Sequence, residues 1–322
     1  MKMKLYPLQF ESIVKERIWG GTKLNTYLNK PITSEITGES WEISTVENDV
    51  SVISTGPLKG KLLTDLIAEF PLELLGEKVH RQFGTEFPLL FKYLDAQHDL
   101  SIQVHPNDAL AKERHNSFGK TEMWYVMQAD EDARLIVGFK EASSQEEYLE
   151  SLKNKTLLSL LDSKKVKKGD AFFLETGTVH AIGAGTVIAE IQQTSDITYR
   201  IYDFDRKDAD GNVRELHLDL ALDAINYNVV EAERSYQKKV NVSNEIVNCR
   251  YFTTNFIPLD GNIQVTKNGQ SFTVYMCVEG RFELKYDSET YVYITGDTVL
   301  IPAEMTNYEV NGSASVLEIY IS

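Results

Sequence analysis

Cysteine is nearly absent: Cys249 and Cys277 are the two in 322 residues, far apart and in no Cys-x-x-Cys pair. No disulfide framework is expected, and a reducing cytoplasm is the expected setting. No apolar run is long enough to span a bilayer, and none follows the charged N-terminal stretch Met1 to Pro7, so neither a membrane segment nor a signal peptide is expected. Basic residues are in short supply, 33 Lys and Arg against 48 Asp and Glu, for a formal charge of −15. Nucleic acid and anionic membranes attract basic surfaces, so neither is an expected partner, although a few local cations suffice to hold one small phosphate. Gly183-Ala184-Gly185 is too short for the Gly-x-Gly-x-x-Gly spacing of a dinucleotide loop. What is plentiful is apolar surface, 42% of residues, which excludes wholesale disorder. The length suits about two domains.

Helical patterns are few. Leu62 to Val79 has helical spacing interrupted by Pro71. Pro106 to Asn116 starts with Asn107 or Asp108 at its N-terminus. Ser144 to Asp162 has a capping box, Ser144 with Glu147, and an apolar face of Tyr148, Leu149, Leu152, Leu157, Leu160 and Leu161. Leu216 to Ile225 is a short amphipathic stretch. Most of the remainder reads as strands, including 99–105, 123–127, 133–139 and 171–174, and the C-terminal quarter is almost entirely short strands with turns between. A mainly β sandwich, jelly roll or barrel follows, with a boundary in the polar stretch near 235–245, giving units 1–238 and 239–322. Residues 169–180 and 296–307 form an internal repeat: a Gly-Asp turn, an apolar strand, then a polar turn. The first copy ends in His180 and the second in Asn307, so only the first unit is expected to hold a metal. The alternative is a chance match between two common turns.

Gln103 and His105 are two apart on a strand and project to one face. Glu122 lies on a neighbouring candidate strand, and His180 follows the strand of the first Gly-Asp unit. Two imidazoles and a carboxylate are a common set for a divalent cation with open positions. Singly, each histidine reads as a strand-end residue bonded to backbone; together they point to a metal. Arg200 and Arg206 are either exposed partners of Asp203, Asp205 and Asp208 or cations for a bound phosphate. Lys120 shares a strand face with Glu122 and is either a further candidate cation or an ordinary solvated lysine. Glu190 interrupts the apolar run 186–191, where burial is expected to raise its pKa and suit it to proton transfer; the alternative is a structural partner for Arg200 or Lys120. His80, His98, His115 and His217 read as structural or surface residues, and the basic run 164–168 as a solvated turn.

The spacing Gly169, Glu175, Gly177, His180 resembles the second cupin motif, with Glu175 where proline often stands. Gln103-x-His105 followed by Glu122 resembles the first, with glutamine for its first histidine. Gln103-Val104-His105-Pro106-Asn107-Asp108, Gly119-Lys120-Thr121-Glu122-Met123-Trp124-Tyr125 and Gly177-Thr178-Val179-His180-Ala181-Ile182-Gly183 together resemble type I mannose-6-phosphate isomerase in its short bacterial form. So do Trp19-Gly20-Gly21, Gly38-Glu39-Ser40-Trp41-Glu42, Phe87 to Lys92 and Thr198 to Arg206, all in family order. The resemblance implies two cupin-like β-sandwich (jelly-roll) domains with a few helices on the first, and one zinc ion held by His105, Glu122 and His180. Gln103 is then a fourth ligand or a neighbour behind the ligands. It maps the catalytic arginine onto Arg200, an acidic site position onto Glu190 and a phosphate contact onto Arg206; Lys120, from its strand face, is the further candidate cation for the phosphate. The implied reaction interconverts mannose 6-phosphate and fructose 6-phosphate through an enediolate, with Glu190 or water on the metal as the base. The competing expectations are a non-haem iron cupin oxygenase and a sugar-phosphate-binding cupin without catalysis. The second unit is expected to be a structural packing domain, with a homodimer interface on it as the alternative.

Overall fold

The computed structural model describes residues 4–207 and 211–322; Asp208 and the start of the N-terminal stretch lie outside them. Among the described residues three large antiparallel sheets and one two-stranded sheet, Thr45–Val46 with Asp49–Val50, form the β framework. The seven-stranded sheet has the spatial order Ile13–Gly21, Thr37–Ile43, Leu89–Ala96, Thr186–Gln193, Glu122–Ala129, Ala171–Leu174, Glu233–Arg234. The five-stranded sheet runs Tyr199–Tyr202, Ile102–Val104, His180–Ile182, Arg134–Phe139, Leu161–Lys165. All strands of the six-stranded sheet fall between Asn244 and Tyr320. The mainly β, cupin-like architecture expected from the sequence is the one found.

Side-chain alternation explains the layering. Strand Thr186–Gln193 is buried along its whole length. Val187, Ala189 and Ile191 face the C-terminal sheet, where they pack with Phe256, Val274 and Leu317. Ile188 faces the opposite way, against Leu135, Val137 and Ile182 of the five-stranded sheet. Glu190 has the parity of Ile188 and therefore points between the two N-terminal sheets. Helices cover the outer face of the five-stranded sheet through Tyr148, Leu157 and Ala221.

Several helical expectations are corrected. Leu62 to Val79 contains parts of three short helices, Leu63–Glu69, Pro71–Leu75 and Glu77–Phe83, because Pro71 starts a new helix and Gly76 sits at φ +87°. The long helix expected at Ser144 to Asp162 keeps its capping box but stops at Lys153. Lys155 turns left-handed, Leu157–Leu160 forms one more turn, and Leu161 begins a strand. Leu149 is therefore exposed instead of joining one apolar face. Strand 99–105 shrinks to Ile102–Val104, whereas helix Asp108–His115 has Asn107 as its cap, as expected.

The internal repeat is a structural one at its turns. The Gly169 and Gly296 amides donate to the carbonyls of Val126 and Cys277, both at 2.8 Å. The Asp170 and Asp297 carboxylates accept from the amides of Lys167 and Ile294, three residues back, at 2.9 and 2.8 Å. Both glycines have positive φ, +89° and +94°. The copies diverge afterwards: His180 is buried and Asn307 is exposed. Among the described residues no helix is long and apolar enough to cross a membrane.

Candidate active site

The site is built from one row of residues on each N-terminal sheet. In the five-stranded sheet Arg200 pairs with Gln103, and Gln103 with His180, in cross-strand register. His105 follows directly on the strand that carries Gln103. In the seven-stranded sheet Trp41 pairs with Lys92, Lys92 with Glu190, and Glu190 with Trp124. Glu122 lies on that sheet, opposite His180, so it is not on a strand neighbouring Gln103 as expected. Strand patterning gives the face of a side chain and leaves open which sheet its strand joins.

His105, Glu122 and His180 are all buried, and their potential ligand atoms lie within 4.8 Å of one another. Backbone carbonyls fix both imidazoles: Nδ1 of His105 donates to Ile197 O at 2.9 Å, and Nδ1 of His180 to Thr178 O at 2.8 Å. Each Nε2 is thereby left with its lone pair toward Glu122, at 3.6 and 3.3 Å. Burial keeps both rings neutral, His105 well below the usual range and His180 at about 4. Lys120 Nζ lies 3.0 Å from Glu122 Oε2, and Glu122 Oε1 has no hydrogen-bond partner. Burial pushes the Glu122 carboxyl up to about 7 despite that ammonium. Two neutral nitrogens and an unsatisfied buried carboxylate suit a divalent cation.

A cavity of about 530 Å³ lies next to this cluster; His105, Glu122 and His180 are not among its lining residues and meet it through Gln103 and Lys120. Gln103 and Lys120 form its floor: the Gln103 amide is 3.3 Å from His180 Nε2, and Lys120 Nζ is 3.0 Å from His105 Nε2. Lys120 thus sits among the candidate ligands, far deeper than a surface phosphate cation. Burial disfavours its charge, but Glu122 and Glu190 outweigh that and raise its pKa. Glu190 lines the same cavity, 3.2 Å from Lys92 and accepting from Trp124 Nε1 at 2.9 Å. The raised pKa expected for it is not found. Burial does push it up, but Lys92 and Lys120 outweigh burial and hold it ionised.

The cations at the mouth differ from expectation. Arg200 lines the cavity; its Nη1 donates to Glu215 O at 2.9 Å, and its buried Nε has no partner. Arg206 is not among the cavity-lining residues: it bonds Asp203 and the Asp99 carbonyl and stacks on Phe204. Arg214 lines the cavity in its place, together with Lys15 and Arg17. No local motif marked Arg214 in the sequence. His217, read as structural, clamps the backbone of Arg200: its Nδ1 accepts from the Arg200 amide at 3.0 Å, and its amide donates to the Arg200 carbonyl at 2.8 Å. Trp19, Glu39, Trp41 and Lys92 entered only as parts of the family resemblance, and all four line the cavity.

Comparison with known proteins accords with this geometry. Residues 7–133 match the family model for the phosphomannose isomerase type I catalytic domain, and residues 243–321 that for the mannose-6-phosphate isomerase cupin domain. The mannose-6-phosphate isomerase ManA of Bacillus subtilis is 37% identical over 98% of this chain and 99% of its own. This chain belongs to the type I mannose-6-phosphate isomerase family. The mannose-6-phosphate isomerase of Streptococcus mutans is also 37% identical, over 97% of both chains. The crystal structure of the Bacillus subtilis mannose 6-phosphate isomerase superposes with a TM-score of 0.90 at 34% identity, over 98% of this chain and 99% of the other. Variants of the phosphomannose isomerase of Salmonella typhimurium share the fold, one at a TM-score of 0.80 and 20% identity over 99% of this chain and all of the other.

Proposed function

We propose that this chain is a metal-dependent aldose–ketose isomerase that interconverts mannose 6-phosphate and fructose 6-phosphate. The observation that carries this reading is the convergence of two neutral imidazoles and an unsatisfied buried carboxylate beside an arginine-rimmed cavity. His105, Glu122 and His180 would hold the cation. Zinc suits a nitrogen- and oxygen-donor site for a reaction without net redox change. Gln103 sits where its amide either joins the ligand set or bonds a ligand. When bound, the cation supplies Lewis-acid polarisation of the sugar oxygens as negative charge develops.

The chain's own groups divide the remaining work. Arg200, with its buried Nε unpartnered, supplies fixed positive charge toward the enediolate. Arg214 takes the phosphate at the mouth, and Arg206 braces the loop behind it. Lys120 lies on the floor, at the reacting end of the sugar. Glu190, ion-paired to Lys92 and facing the cavity, is the carboxylate available to accept the proton carried between C2 and C1.

The test is a coupled assay of mannose 6-phosphate isomerisation on protein of measured metal content, before and after chelation. Activity that disappears with the metal and returns with added zinc supports the reading. Undiminished turnover by metal-free protein overturns it. Oxygen uptake by iron-loaded protein would favour the oxygenase instead, and tight binding without turnover the non-catalytic cupin.

A further inference from the structure

Asp108 follows the cap of helix Asp108–His115, outside the cavity, yet its carboxylate holds both ends of the segment that carries Lys120. Its Oδ1 accepts from the Gly119 amide at 3.0 Å and from Gln193 Nε2, also at 3.0 Å. The side-chain Oε1 of Gln193 in turn accepts from the Thr121 amide at 2.9 Å. One carboxylate oxygen therefore fixes residue 119 directly and residue 121 through a buried amide. Lys120, between them, reaches Glu122 and His105 at 3.0 Å. The fit is close: a Cβ at Gly119 would lie 2.7 Å from the Asp108 amide nitrogen. The second oxygen, Oδ2, accepts from Tyr251 Oη at 2.7 Å. Tyr251 lies in the turn between the first two strands of the C-terminal sheet, Asn244–Asn248 and Thr253–Thr266.

We propose that Tyr251 and Asp108 are positioning residues, through which the C-terminal sheet sets the placement of the Lys120 ammonium in the active site. The inference deepens the isomerase reading and rests on it for the role of Lys120. It also gives the second unit, which offers no metal ligands at the site, a part in the reaction. The Tyr251 hydroxyl satisfies the oxygen of Asp108 that faces away from the segment. Without that bond the carboxylate is free to rotate and compete for water, which loosens residues 119–121.

The test uses full-length, metal-loaded Tyr251→Phe and Asp108→Asn. A hydrogen bond to a charged group is worth enough that losing it should speed amide exchange in peptide 117–122 by about tenfold, with the C-terminal sheet unaffected. In Tyr251→Phe, kcat should fall roughly three- to tenfold, with KM and metal content unchanged. Unchanged exchange at 117–122 overturns the inference. So does faster exchange with unchanged kcat, or a loss of activity that follows metal loss or a rise in KM. Tyr251→Phe removes one hydroxyl and decides the matter even if Asp108→Asn does not fold. If the wild-type protein fails to isomerise mannose 6-phosphate, the isomerase reading fails, and the exchange arm still decides whether Tyr251 orders the segment.

Discussion

Asp203 grips Arg214 at two points, Nε to Oδ2 at 2.7 Å and Nη2 to Oδ1 at 2.5 Å, and so presents the rest of that guanidinium at the cavity mouth. The same carboxylate holds Arg206 away from the cavity lining. The two arginines should separate in kinetics. Losing a charge-assisted contact costs about 1.5–3 kcal/mol, so Arg214→Ala should raise KM for the phosphorylated sugar by about 10- to 100-fold. Arg206→Ala should leave KM nearly unchanged and lower the melting temperature instead. Steady-state kinetics and a thermal melt on each variant check this.

Removal of a ligand should uncouple folding from metal binding. Glu122→Gln keeps the volume and removes the charge from a buried position, so the apo protein should fold while its metal affinity drops by at least about 100-fold. His105→Ala and His180→Ala should lose metal and activity together, and Arg200→Ala should keep the metal but lose turnover. Elemental analysis beside the isomerase assay distinguishes these outcomes.

A further buried charge pair lies outside the active-site cavity. Lys30 Nζ is 2.6 Å from Glu42 Oε2, both side chains are under a tenth exposed, and Ser40 Oγ donates to the other oxygen at 2.6 Å. Lys30→Met strands the carboxylate and should cost about 3–5 kcal/mol, while Lys30→Met with Glu42→Leu should recover most of that loss. Urea unfolding midpoints of the three proteins provide the comparison.

Acid stability should depend on Glu39. Burial opposes its charge, but Lys92 and Arg17 outweigh it and hold the carboxyl at about 2, against 4.5 for an unperturbed glutamate. The unfolded chain therefore binds the extra proton between these values. The stabilisation is complete above pH 4.5 and is lost as the pH falls toward 2. A shift of this size corresponds to about 3 kcal/mol, so Glu39→Gln should flatten the stability profile over that range. Denaturant titrations at several pH values measure the slope.

The candidate metal set was legible in the sequence because residue spacing and strand parity put Gln103 and His105 on one face and His180 at the end of a Gly-Asp strand. The shape of the site was less so. Glu122 belongs to the facing sheet, and Glu190 is ionised because Lys92, its cross-strand neighbour, lies 98 positions earlier in the chain. Parity predicts a face; charge state depends on partners that only sheet order brings together. Arg206 matched the family spacing, yet Asp203 turns it aside and offers Arg214. The helix expected at Ser144 failed at Lys155, whose left-handed backbone has no signature in apolar periodicity.

The paired Gly-Asp turns have a consequence for how this molecule tolerates change. Backbone amides and one aspartate hold each turn, and the residue eleven places after each glycine takes no part. Scaffold and reactivity are therefore separable by a single position: histidine there gives a candidate ligand, asparagine gives a twin on the same frame without one. The chain carries its own unreactive control, and erasing His180 should leave the first turn as well formed as the second.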